Sequence, residues 1–142
     1  MRRIPRIKTV MTPFPYSITP STTLDVAVTM MGQHDIRHLP VCEGPNVVGL
    51  LAERDARVAL EVQAPDAKLT VGDICTREPL IVDLERHLDE VAAELAKRRL
   101  GCAIVMRGDK LSGILTTTDV CRLLATTLRE AYGDDDGDDE VA

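Results

Sequence analysis

Tryptophan is absent from the 142 residues, Phe14 is the only phenylalanine, and aromatic residues make up 2% of the chain. A core of stacked rings is thereby excluded. With 44% apolar residues, the interior has to be built from Val, Leu, Ile, Met and Ala. Long apolar runs are missing too. None approaches the ~20 residues that a membrane-spanning helix needs, and the opening stretch MRRIPRIKTVMTP has no apolar block of the kind a secretory signal carries. These absences predict a soluble, cytoplasmic protein with no membrane partner.

Metal and disulfide signatures are also lacking. The four cysteines, Cys42, Cys75, Cys102 and Cys121, show no CxxC spacing and do not cluster with histidine. They read as reduced, small side chains, most of them in apolar pattern positions. His34 and His38 stand four apart, a metal pair if both were helical, but the pattern ends the helix near His34 and puts His38 in the next strand. No excess of basic charge exists: the net charge is −6, and six of the acids lie in the stretch DDDGDDE at 134–140. That composition predicts a disordered tail. Four N-terminal basics, Arg2, Arg3, Arg6 and Lys8, are too few to suggest a nucleic-acid partner.

What the chain does have is an internal repeat. Residues 10–60 fall on 74–124 at an offset of 64 without a gap, and ten positions are identical: Thr12/Thr76, Pro15/Pro79, Leu24/Leu88, Asp25/Asp89, Val41/Val105, Gly44/Gly108, Gly49/Gly113, Leu51/Leu115, Asp55/Asp119 and Leu60/Leu124. Two copies related by a pseudo-two-fold create related clefts between them, natural places for a ligand. A copy of roughly 60 residues is marginal alone, which predicts a shared core.

Each copy reads strand, helix, strand, strand, helix. In the first, Lys8 to Met11 is an extended entry and Tyr16 to Thr19 a short strand. Leu24, Ala27, Val28 and Met31 mark one helix face, and strands 36–42 and 47–51 flank the EGPN turn before a helix over 53–61. In the second, Leu80 to Val82, a helix faced by Leu88, Val91, Ala92 and Leu95, strands 102–106 and 111–115, and a helix over 118–131 follow the same order. The last helix is expected to turn Val120, Leu123, Leu124 and Leu128 inward. The class is α+β, two pseudo-symmetric β-α-β-β-α repeats packed through their sheets. The expected divisions are repeat 1 at 6–62, a linker at 63–69, repeat 2 at 70–131 and the acidic tail at 132–142.

The stretch Gly113-Ile-Leu-Thr116-Thr117-Thr118-Asp119 runs from a strand directly into a helix. Free amides and the positive dipole end there attract phosphate, and a carboxylate accepts both hydrogen bonds of a ribose diol. The same residue types also cap helices, so local chemistry leaves both roles open. The first copy keeps Gly49 and Asp55 but has Ala52 and Arg54 where Thr116 and Thr118 stand in the second.

The doubled unit, the Leu39-Pro40-Val41 strand and the G-h-x-T-x-x-D turn resemble a pair of CBS (cystathionine β-synthase) domains, a Bateman module, over residues from about Arg6 to Leu128. The resemblance implies a sensor of adenosyl ligands (AMP, ADP, ATP or S-adenosylmethionine), with no required cofactor. In the main cleft it implies ribose on Asp119, phosphate near Thr116 and Thr118, and a base pocket from Val10, Met11, Ile36 and His38. Arg37 and His38 occupy the place of the family's phosphate-reaching basic pair. The second, degenerate cleft would use Asp55, Arg54, Thr70, Ile74, Cys75, Leu100 and Cys102, with Gly101 in place of Arg37.

An enzyme is the competing class, and no nucleophile with a base, metal cluster or carboxylate pair supports one. The other alternative is a structural or dimerisation module with empty clefts. The expectation is a stand-alone regulatory homodimer, built through the apolar residues of each repeat's second helix (Val58, Leu60, Val62; Leu124, Leu128), acting on a client protein in trans.

Overall fold

The computed structural model describes residues 3–13 and 15–133; the acidic stretch 134–140 lies outside them. In chain order the elements are β1 (Thr12–Pro13), α1 (Leu24–His34), β2 (His38–Glu43), β3 (Asn46–Ala52), α2 (Glu53–Val62), α3 (Val71–Ile74), β4 (Ile81–Asp83), α4 (Leu88–Arg98), β5 (Cys102–Arg107), β6 (Lys110–Thr116) and α5 (Thr117–Tyr132). This is a mixed α+β fold of two repeats. The offset of 64 carries α1 onto α4, β2 onto β5 and β3 onto β6 residue for residue. The two helix ends match as well, with left-handed Asp35 (φ 51°) and Arg99 (φ 54°).

The entry segment departs from expectation. Instead of an extended run over Lys8 to Met11, Ile7–Thr9 forms a 3-10 turn and only Thr12–Pro13 pairs as a strand. The expected strand Tyr16 to Thr19 shrinks to one parallel bridge, Ile18 to Val41. Pro20 accounts for part of the loss, because it has no N–H to donate. In the second copy Leu84 stands in its place and donates to the Met106 carbonyl (3.0 Å), and there β4 forms and pairs with β5.

The strand pairing exchanges segments between repeats. β1 pairs antiparallel with β6, Thr12 opposite Ile114 and Pro13 opposite Gly113. Symmetrically, Thr76 bridges Leu50 of β3. The four-stranded sheet β1-β6-β5-β4 is thus completed by residues that precede the first repeat's own strands, beside the two-stranded β2-β3.

The exchange explains the paired glycines. A Cβ on Gly113 would sit 2.8 Å from the Thr12 carbonyl oxygen and 2.5 Å from Met11 Sδ; one on Gly49 would sit 2.7 Å from the Thr76 carbonyl and 2.9 Å from Cys75 Sγ. The incoming segment passes too close for any side chain.

Two apolar clusters follow the same exchange. The first holds Leu24, Ala27, Met31, Leu39, Val41, Leu51, Ala56 and Ala59, completed by Val71 from the start of the second repeat. The second holds Leu80, Val82, Leu88, Val91, Leu95, Ala103, Val105 and Leu115, completed by Ile7. Along β5 and β6 the alternate residues Cys102, Ile104 and Ile114 are buried as well, so both faces of this sheet are covered.

The last helix differs from expectation on its outer side. Val120 and Leu123 pack on the second cluster, but Leu124 and Leu128 are 55% and 47% exposed. Of the four apolar residues, only Val120 and Leu123, in the first two turns of α5, face the cluster. It also continues through Tyr132, into the expected tail.

Candidate functional site

The junction of β6 and α5 is organised by a reciprocal cap. The Asp119 N–H donates to Thr116 Oγ1 (3.1 Å), and the Thr116 N–H donates to Asp119 Oδ2 (2.9 Å). The Thr116-x-x-Asp119 spacing produces this geometry, because the two residues face each other across the first turn. Asp119 is 7% exposed. Its carboxylate also accepts from the Thr12 hydroxyl (3.3 Å to Oδ1, 3.4 Å to Oδ2) and lies 3.6 Å from Arg122 Nη1. Thr12 belongs to the exchanged strand, so the carboxylate ties the two repeats together.

Beside this carboxylate lies a cleft of about 640 Å³ drawn from both repeats. The first repeat contributes Asp35, Ile36 and Arg37 from the turn between α1 and β2 and His38 from the start of β2, and β1 contributes Thr12. The second contributes Ile114, Thr116, Thr117, Thr118 and Arg122. The expected residues Thr116, Thr118, Arg37, His38 and Ile36 are therefore brought together. Asp119 is not on the cleft surface itself, but Thr12 and Arg122, which contact it, are.

Val10 and Met11 are half-buried and pack against the second apolar cluster, while Thr12, the next residue, lines the cleft. Sequence reasoning missed Thr12, Asp35, Ile114, Thr117 and Arg122. The signal for Ile114 was available in the strand alternation that places it on the face opposite Leu115.

The helix amides are less free than the sequence suggests. Thr117 N–H donates to the Gly101 carbonyl (3.0 Å), just as Glu53 N–H donates to Arg37 (2.8 Å) in the first copy. With Asp119 N–H on Thr116, two of the first three amides of α5 already have partners. An anion at this mouth would meet mainly side chains. His38 is held below its usual pKa by burial and then by the neighbouring Arg37 guanidinium, partly offset by Asp55 and Glu53. It is therefore a neutral imidazole at pH 7.

The seven residues expected in the second cleft are divided among different settings. Asp55 and Arg54 are exposed on the first turn of α2, whose cap residue Ala52 has no side-chain hydrogen bond. Thr70 caps α3 with Asp73, and that pairing lowers the Asp73 pKa. Ile74 and Cys75 pack against the first cluster and Leu100 against the second. Cys102 is buried, its thiol pushed up to about 12 by desolvation. A Cβ on Gly101 would lie 3.0 Å from His38 Nε2, so the first repeat's imidazole fills the place where a counterpart of Arg37 would project.

Among the described residues there is no group of three or more His, Cys, Asp or Glu that could hold a metal ion, and no helix long and apolar enough to cross a membrane.

Comparison with known proteins gives the site a context. The model of the CBS domain family matches twice, at residues 7–62 and 71–126. The chain is 26% identical over 121 residues to an inosine-5′-monophosphate dehydrogenase of Thermoplasma acidophilum, covering 84% of this chain and 24% of that enzyme. It thus spans about a quarter of the length of such relatives, their CBS region only. Among solved structures, the CBS domain pair of protein MJ0100, in complex with 5′-methylthioadenosine and S-adenosyl-L-methionine, superposes with a TM-score of 0.79 at 24% identity, covering 88% of this chain and 99% of that one. CBSX2 in complex with AMP gives a TM-score of 0.73 at 26% identity, covering 87% and 98%. With its gapless doubling, its exchanged entry strands and a family match over both halves, the chain belongs to the CBS domain family as a tandem pair.

Proposed function

We propose that this CBS pair is a regulatory module, not an enzyme, that binds one adenosyl nucleotide in the cleft beside Asp119 and passes its occupancy to a client protein. The carrying observation is the convergence of Thr12, Arg37, His38, Thr116, Thr118 and Arg122 from both repeats on one opening. The similar CBSX2 was solved with AMP, which fits the same chemistry. In this reading residues 6–62 and 70–131 act as the two repeats, joined by 63–69, and the ribose diol takes over the Asp119 oxygens from the Thr12 hydroxyl. The cleft built on Asp55 stays without ligand, since its carboxylate is exposed and its threonines are replaced.

The pair is also proposed to dimerise through its outer helices. Leu124, Leu128 and Tyr132 recur every fourth residue on α5, and Val58 and Val62 do so on α2; all five are exposed. A mass near 15.6 kDa by light scattering at micromolar concentration would exclude the dimer.

A second reading has its own support: a scaffold with an empty cleft, in which Asp119 serves only as the cap it visibly forms. A thermal-shift series with AMP, ADP, ATP and S-adenosylmethionine separates the two. Ligand at 100 times its Kd adds roughly 2.7 kcal/mol of stability; no shift with any of the four supports the scaffold.

A further inference from the structure

We propose that Arg122 is a specificity-determining residue that makes the cleft select adenosyl ligands carrying a 5′-phosphate over those carrying a 5′-sulfonium. This deepens the nucleotide-binding reading and rests on it. AMP and S-adenosylmethionine share adenosine and differ at the 5′ position, one anionic and one cationic, so a cleft discriminates between them by the charge it presents there.

Two fixed cations line this opening from opposite repeats, Arg37 ahead of β2 and Arg122 in the second turn of α5. Arg122 has no counterpart in the other repeat, where Val58 stands 64 positions earlier. Its guanidinium lies 3.6 Å from Asp119 Oδ1 with a side chain 73% exposed. Such a pair contributes little and is easily rearranged. When a ribose diol engages the carboxylate, Arg122 is released to turn to the phosphate on the 5′ side of the same ribose.

The main-chain alternative is weak here, because Thr117 and Asp119 have committed their amides to Gly101 and Thr116. Neutralisation of a phosphate dianion therefore depends on Arg37, Arg122 and the hydroxyls of Thr117 and Thr118. Arginine suits the task through its paired donors. The same two guanidinium groups repel a sulfonium. Among the described residues Asp35 is the one acid on the cleft wall, and Asp119 lies beneath it, occupied by its cap and by Thr12.

Calorimetric titration of adenosine, AMP and S-adenosylmethionine into wild type, Arg122→Ala and Arg122→Lys at pH 7.5 tests the assignment. Wild type should bind AMP at least about tenfold more tightly than adenosine and S-adenosylmethionine. Arg122→Ala should cut the AMP preference over adenosine to about a third or less while leaving adenosine within about twofold. Arg122→Lys should recover part of the preference. Adenosine supplies the readout that a merely structural effect would not spare, since misfolding weakens all three ligands together. An unchanged AMP-to-adenosine ratio in Arg122→Ala, or S-adenosylmethionine binding wild type as tightly as AMP, overturns the assignment but leaves the nucleotide site standing. Failure of all three to bind wild type overturns both.

Discussion

His38 carries the cleft's pH sensitivity. Its pKa is lowered by burial beside Arg37, so the folded chain binds fewer protons at this ring than the unfolded chain does. The stability this preserves is fully present above the ordinary value of about 6.5 and is lost as pH falls through the lower folded value. His38→Gln should flatten the decline in Tm below pH 6.5; an NMR titration giving His38 a pKa above 6.5 contradicts the assignment. Gly113 works through space rather than charge. Its replacement by alanine pushes a methyl group against the Thr12 carbonyl and Met11 and should destabilise by about 1–3 kcal/mol, measured by urea unfolding. Arg99 is the opposite case. Left-handed and exposed at the end of α4, it should gain up to about 1 kcal/mol when replaced by glycine, and a loss of stability would show that its side chain has a packing role.

At the scale of elements, the repeat made the helices and hairpins readable. Gly44 and Gly108 mark both hairpin turns at positive φ, and Leu24/Leu88 with Met31/Leu95 mark both inner helix faces. The exchanged entry was not readable, because the pairing of β1 with β6 is decided by tertiary contact across the pseudo-two-fold. Nothing in Thr12–Pro13 itself names its partner strand. The same blindness hid Thr12, which lines the cleft. The cap of α5 was legible from Thr116-x-x-Asp119. Arg122 was not, since an arginine in the second turn of a helix looks like any solvated charge until the opposite repeat is in place.

For the whole molecule, the exchange makes each half depend on the other. Ile7 completes the second apolar cluster and Val71 the first, so a cut near residue 66 strips each core of a fully buried side chain as well as a covering sheet face. Residues 1–66 and 67–142 expressed separately should lack a cooperative unfolding transition. Mixed together, they should regain one. Cooperative unfolding of either monomeric half would mean the exchange is decoration rather than a condition of folding.

In the proposed function the same coupling would give a ligand leverage, because the Asp119 carboxylate holds Thr12 of the exchanged strand as well as its own helix. Calorimetric titration of AMP into wild type and Asp119→Ala tests that dual role most directly. Loss of the cap should reduce stability by about 1 kcal/mol, and loss of the ribose acceptor should weaken AMP at least about tenfold. Asp55→Ala should leave AMP affinity unchanged. Equal AMP affinity in wild type and Asp119→Ala would contradict the account and leave Asp119 as a helix cap alone.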